Sequence, residues 1–143
     1  MRSRGSRLFG RSPEPTGAPR AVLDVTGHSL GAALCTLYTI AHHQDSRHAL
    51  STVCTFASPR VGNTAFVGAF DRLPIASWRI VNEQDLVPKV PPHIPLVLDF
   101  QHVNEAYPFT STGMTKFSPV CWHDMGTYLH FLDGEEPLKE GCS

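Results

Sequence analysis

The sequence predicts an α/β fold with a mostly parallel sheet and flanking helices. Three observations carry the prediction. From residue 21 onward, apolar runs of strand length alternate with runs of helical spacing, in the order strand, helix, strand, helix, strand. The short runs are rich in Val, Thr, Ile and Phe, as half-buried or buried strands are. A serine bounded by glycines, in Gly27-His28-Ser29-Leu30-Gly31, stands where the first strand passes into the first helix.

Each element has its own justification. Ala21–Thr26 (AVLDVT) reads as a largely buried strand interrupted only by Asp24, and Gly27 breaks the run. Leu30 to His43 carries Ala, Leu and Tyr at helical spacing without proline, so a helix is expected, followed by a polar connection over Asp45–His48. Ser51–Ala57 is a second strand, ended by Ser58-Pro59 because proline has no N–H for a ladder. Asn63 is placed to cap a short helix from Thr64 to Phe70. Ser77–Asn82 alternates large residues and reads as a third strand. A loop with Pro88, Pro91, Pro92 and Pro95 follows. Leu96–Val103 and Glu105–Thr110 read as two further strands, with a hairpin as one way to join them. Asp124 caps a last helix from about Met125 to Leu132, which Asp133-Gly134 stops.

Composition narrows the function classes. With 143 residues, 41% apolar and 17% charged, the chain suits one globular domain. A net charge of −1 gives no global pull toward nucleic acid or an anionic membrane. The longest mostly apolar stretch, Leu30 to Ala41, is well short of the ~20 residues that a spanning helix needs, so no transmembrane segment is expected. Charge is uneven. Residues 1–20 hold five arginines against Glu14, a charge of +4, and residues 21–143 hold 7 basic and 12 acidic groups, a charge of −5. This Arg/Ser/Pro-rich segment is read as a disordered leader, residues 21–143 forming the domain; a transit peptide or a stretch foreign to the domain are the alternatives. No secretory signal is recognised. The compartment stays open, with an intracellular setting, cytoplasm or plastid, slightly favoured. Cys35 and Cys54 lie in apolar segments and read as buried thiols, while a pairing of Cys121 with Cys142 stays open. Cys121 and His123 lack the further ligands of a zinc site, so no metal is expected.

The chemistry sits on the G-x-S-x-G segment. Between a strand and a helix it reads as a nucleophile elbow, a turn so tight that Cβ atoms on Gly27 and Gly31 are expected to clash. The turn lifts Ser29 clear of the sheet and aims the Leu30 N–H, at the helix start, toward a reacting carbonyl as an oxyanion donor. A serine needs a base, and the base an orienting acid. Asp85, in the loop after the third strand, is the favoured acid, with Glu83 its competitor. Among eight histidines, His123 is favoured as base because it precedes a helix in a loop able to reach over Ser29; His130, on the helix body, is expected to pack. His28 should point away from Ser29. His42, His43 and His48 read as solvated, and His93 and His102 lie near the proline loop or on a strand. Such chemistry needs no cofactor.

These residues, over 21 to about 132, resemble the C-terminal half of a class-three, fungal-type lipase. The resemblance rests on Val25–Ala33, on Thr55–Asn63, on Arg79–Pro88, on His102-Val103 with Glu105, and on His123-Asp124-Met125 with Thr127-Tyr128-Leu129. It implies an α/β-hydrolase fold and hydrolysis of acyl esters in lipids, with work at a lipid–water interface among its possibilities. It also implies Ser29 as nucleophile, Asp85 as acid and His123 as base. The resemblance further implies a longer segment before the elbow strand, bearing earlier strands, a lid helix and a second oxyanion donor. The leader shows none of these, so a fragment, a truncated form or an imperfect gene model is expected. Asn104 stands where the family's strand motif usually has Gly. Two rival readings stay open: a non-catalytic lipase-like interaction module, and a thioesterase or other small-acyl hydrolase.

Overall fold

The computed structural model describes residues 21–44 and 47–143; the predicted leader lies outside the described residues. The elements run β1 (Ala21–His28), α1 (Leu30–His42), β2 (His48–Phe56), α2 (Thr64–Phe70), β3 (Ala76–Asn82), a 3-10 turn (Val87–Lys89), β4 (Ala106–Phe109), α3 (Pro119–His123) and α4 (Met125–Asp133). All four strands are parallel, in the order β1-β2-β3-β4. Parallel neighbours need a crossover rather than a tight turn. Helices α1 and α2 make the first two crossovers, and the segment between Asn82 and Ala106 makes the third. This arrangement brings the carboxyl ends of all four strands to one edge of the sheet, where an open α/β sheet assembles its site.

The sequence expectations hold for the first three strands and for α1, α2 and α4, with shifted boundaries. Gly27 does not break β1, which continues through His28. The hairpin does not form. Residues 96–103 make only isolated bridges, Gly62 with Gln101 and Ile94 with Leu98, and β4 pairs parallel to β3. Three prolines in 91–95 remove ladder donors, and Leu96 adopts φ +65°, so an extended run cannot persist. The Asp99 carboxylate instead accepts from the Thr64 N–H and hydroxyl at the start of α2. The caps read from sequence are present: Asn63 accepts from the Phe66 N–H at 2.9 Å, Asp124 from the Gly126 N–H at 3.0 Å, and Gly134 ends α4 at φ +75°.

Packing of α1 inverts the usual pattern. Its buried residues are Ala32, Ala33, Thr36 and Thr39, while Leu30, Leu34, Leu37 and Tyr38 are exposed. The two threonine hydroxyls donate back to the Ala32 and Cys35 carbonyls, so they enter the interior satisfied. Small residues let the helix lie close against β1 and β2. Val53, Ala57, Phe70 and Tyr128 are fully buried in the core.

Cys121 and Cys142 are disulfide-bonded and both buried, tying the C-terminal tail to α3. Cys35 and Cys54 are free and half-buried rather than fully buried as expected, and burial pushes both thiols up. Asn104 adopts φ +53°, in the left-handed region that favours glycine, and its Nδ2 is buried with no hydrogen-bond partner.

Candidate active site

Ser29 forms the corner between β1 and α1 at φ +58°, ψ −126°. A non-glycine residue there is strained and persists only when its surroundings hold it. Two sets of bonds hold it. The Ser29 N–H donates to the Phe56 carbonyl at 3.0 Å, and the Ser29 carbonyl accepts from the N–H groups of Ala32 and Ala33. Gly27 is required by contact, since a Cβ there would lie 2.6 Å from the Gly31 carbonyl oxygen and 2.8 Å from Cys35 Sγ. The matching expectation for Gly31 is corrected: a Cβ at Gly31 would meet nothing within 4 Å. The crowding is one-sided, because it is Gly31's backbone, not its Cβ direction, that faces Gly27. Leu30 is the first residue of α1, so its N–H has no carbonyl of the helix to bond.

Asp85 follows β3 in a turn closed by its N–H donating to the Asn82 carbonyl at 3.0 Å. Its side chain is 1% exposed. Oδ1 accepts from the Val87 N–H at 2.9 Å. Oδ2 accepts from His123 Nδ1 and from the Tyr128 hydroxyl, both at 2.8 Å. The competitor Glu83 is exposed.

His123 ends α3 rather than lying in a free loop as expected, and Asp124 immediately caps α4. The imidazole spans the gap between the other two residues, with Nε2 2.8 Å from Ser29 Oγ and Nδ1 2.8 Å from Asp85 Oδ2. A carboxylate accepts only, so Nδ1 carries the proton toward Asp85 in the neutral ring. Nε2 is then the acceptor, and the serine hydroxyl donates to it.

The supporting shell was not legible from sequence. Tyr128 is fully buried; its hydroxyl donates to Asp85 and accepts from the Asn82 N–H at 3.2 Å. Burial, with the Asp85 carboxylate adding to it, holds this phenol far above its ordinary value, so it remains a donor. Asn82 Nδ2 donates to Ser111 Oγ and to the Trp122 carbonyl, both at 2.9 Å, fixing the backbone one residue before His123. His28 Nε2 donates to the His123 carbonyl at 2.8 Å and its ring lies 4.6 Å from that of His123. His28 therefore does pack, as expected, but on His123 itself. Burial, then the neighbouring His123, lowers its pKa. His130 bonds to the Glu136 carbonyl, outside this cluster.

Beside His123 opens a cleft of about 550 Å³, with Leu86, Val87, Pro119, Val120 and Met125 among its lining residues. An apolar wall next to a serine–imidazole–carboxylate relay suits an acyl chain attached to an ester carbonyl. Among the described residues no cluster of His, Cys, Asp and Glu is arranged to hold a metal ion.

Residues 16–94 match the lipase (class 3) family. This chain belongs to the class 3 lipases. A Caenorhabditis elegans lipase is 45% identical over 111 residues, covering 76% of this chain and 29% of that protein. Phospholipase A1-II 1 of Oryza sativa subsp. indica is 34% identical over 127 residues, covering 83% of this chain and 31% of its own length. The lipase of Rhizopus microsporus var. chinensis has a solved structure that superposes with a TM-score of 0.53 at 34% identity, over 60% of this chain and 30% of that one. A mutant of MDLA from Penicillium cyclopium gives the same TM-score over 62% of this chain and 31% of its own. The fold is that of the α/β-hydrolases. The class 3 lipase chain described here spans less than a third of the length of these relatives.

Proposed function

We propose that this class 3 lipase segment carries the reacting groups of a serine hydrolase of lipid acyl esters. The observation that supports it is the relay from Ser29 Oγ through the His123 ring to Asp85, two contacts of 2.8 Å each. In the first step His123 Nε2 takes the Ser29 proton as Oγ attacks the ester carbonyl. Asp85 and its Tyr128 partner hold the ring and stabilise it once charged. The Leu30 N–H, at the N-terminal end of α1, is the oxyanion donor this chain contributes. His123 then protonates the leaving alcohol. Water, deprotonated by the same nitrogen, hydrolyses the acyl-serine. No step calls for a metal or organic cofactor.

The compartment is part of the proposal. The sequence slightly favours cytoplasm or plastid, and one relative is a chloroplastic phospholipase A1 of Arabidopsis thaliana. The buried Cys121–Cys142 bond points instead to an oxidising compartment, where disulfides persist. No described helix is long and apolar enough to cross a membrane.

The test is labelling with a fluorophosphonate together with hydrolysis of a short-chain ester. Ser29→Ala is expected to lose the label and to lower any turnover by about 10⁴ to 10⁶. Label retained in the alanine variant would remove Ser29 from the role of nucleophile. Absence of both label and turnover in the folded wild-type chain would favour the non-catalytic reading.

A further inference from the structure

The hydrolytic steps leave His28 without a part. Successive side chains of a strand point to opposite faces. Gly27 faces α1, where its Cβ would meet Cys35 Sγ, so His28 faces the other side, where Tyr128 packs edge-on to its ring at 5.8 Å. There its Nε2 meets the His123 carbonyl at 2.8 Å. A carbonyl only accepts, so Nε2 carries the proton of the neutral ring. That carbonyl needs an outside donor. His123 is the last residue of α3, a helix of five residues, and Asp124 leaves it in an extended conformation. The final carbonyls of a helix have no partner within it. Here two successive ones are taken by side chains at the carboxyl ends of two strands. Asn82, ending β3, donates to the Trp122 carbonyl at 2.9 Å, and His28, ending β1, donates to that of His123. His28 is also the residue before Ser29. One strand end therefore holds Ser29 and grips the main chain of the residue whose Nε2 stands 2.8 Å from Ser29 Oγ. The charge state of the ring agrees. Burial first, then His123, lowers its pKa, and the Asp85 and Asp124 carboxylates act against them. With the two rings 4.6 Å apart, an uncharged His28 sets no like charge against His123 as that ring takes the serine proton.

We propose that His28 is a positioning residue for ester hydrolysis: its Nε2–H ties the main chain of His123 to the strand end that carries Ser29, and so fixes the distance over which the serine proton passes. This role rests on the serine-hydrolase reading above. It acts through His123, not on the substrate. Packing alone would ask only for a flat ring of this size, whereas a tie asks for the donor. Ring and donor can be separated. His28→Phe keeps the ring and removes the donor. His28→Gln removes the ring and returns an amide N–H near the place of Nε2. His28→Asn carries the same amide but stops short of the carbonyl.

The test takes two readouts on the full chain at neutral pH. The first is fluorophosphonate modification of Ser29, resolved into a maximal rate and a half-saturating concentration. His28→Phe and His28→Asn are expected to lower the maximal rate about tenfold, the worth of one hydrogen bond, with the half-saturating concentration little changed. His28→Gln is expected to recover the rate to within about threefold of wild type. The second is the proton resonance of His123 Nδ1–H in its bond to Asp85, which needs no chemistry at Ser29. It is expected to be sharp in wild type and in His28→Gln, and broadened or lost in His28→Phe and His28→Asn. Near-ultraviolet circular dichroism checks each fold, and His28→Asn is read alone if His28→Phe does not fold. A variant lacking the donor that keeps the resonance, or that labels as fast as a labelling wild type, overturns the inference. So does a His28→Gln variant as impaired as His28→Phe, or a wild type without the resonance. A wild type that takes no label but shows the expected pattern of resonances removes the nucleophile reading alone and supports the tie.

Discussion

At the scale of single residues, the site shows how the proposed nucleophile is held rather than merely placed. Ser29 accepts a strained backbone because Phe56, Ala32 and Ala33 bond it on both sides. Tyr128 plays the corresponding part for Asp85. Tyr128→Phe removes one donor to a buried carboxylate and strands the Asn82 N–H. It is expected to lower kcat about tenfold with KM little changed, and to lower stability by about 1–3 kcal/mol. Steady-state kinetics beside thermal melts separates the two effects. Asn104→Gly should act in the opposite sense. It relieves a left-handed residue and removes an unpartnered buried amide, so a gain of about 1 kcal/mol is expected in urea unfolding. Two half-buried imidazoles make stability depend on pH. Burial first, then the Arg79 guanidinium, holds His102 down to about 4, and its Nε2–H donates to the Pro88 carbonyl. His28 is lowered as well. In the unfolded chain both titrate near about 6.5. Between that value and about 4 the unfolded state therefore binds more protons than the folded one, and stability falls as pH drops through the window. The thermal midpoint is expected to decline from pH 7 to pH 5, and to decline less steeply in His102→Gln.

At the scale of elements, the two elbow glycines divide. Gly27→Ala drives a Cβ into the Gly31 carbonyl and Cys35 Sγ, and neither backbone nor packed sulfur can yield cheaply. It is expected to unfold the elbow and to end fluorophosphonate labelling. Gly31→Ala meets open space inside a helix, where alanine is favoured over glycine by about 1 kcal/mol. It is expected to raise the melting temperature slightly. The two substitutions, measured side by side, would reveal whether crowding acts on one glycine or on both. The helix caps at Asn63 and Asp124 and the stop at Gly134 were readable because capping is local: donor, acceptor and chain reversal lie within a few residues. The strand expected over 96–103 failed for a non-local reason. Asp99 and Gln101 are recruited by Thr64 and Gly62, more than thirty positions earlier, so that segment serves as a crossover.

At the scale of the whole molecule, two surfaces govern behaviour in solution. Among the described residues β1 pairs only with β2, and Val22 on it is exposed. An open strand edge templates pairing with another chain. Residues 1–143 expressed alone are expected to self-associate, as static light scattering would detect. The second is the tail clasped by the disulfide. Cys121 lies in the same short helix as His123, and the Cys142 carbonyl accepts from the Lys116 N–H at 2.9 Å. Opening a loop with a sequence separation of 21 is expected to remove about 3 kcal/mol of stability. Thermal melts with and without reductant would measure it, and labelling of Ser29 would report whether α3 still holds His123.

The sequence by itself determined the α/β class, the strand-to-helix corner at Ser29, and the chain order of the serine, acid and base candidates. Those features are written in local periods, glycines, caps and short motifs, each of which acts over a few residues. It also narrowed the acid to Asp85 or Glu83 and the base to His123 or His130. Only the tertiary structure decided which members of those pairs come together at Ser29, because His123 meets Asp85 and Ser29 across 38 and 94 positions of chain. Tertiary structure alone also supplied Tyr128 and Asn82 as supports, the disulfide, and the parallel β4. Each depends on what the folded sheet brings within about 3 Å, the reach of a hydrogen bond, and no pattern of neighbours along the chain encodes that distance.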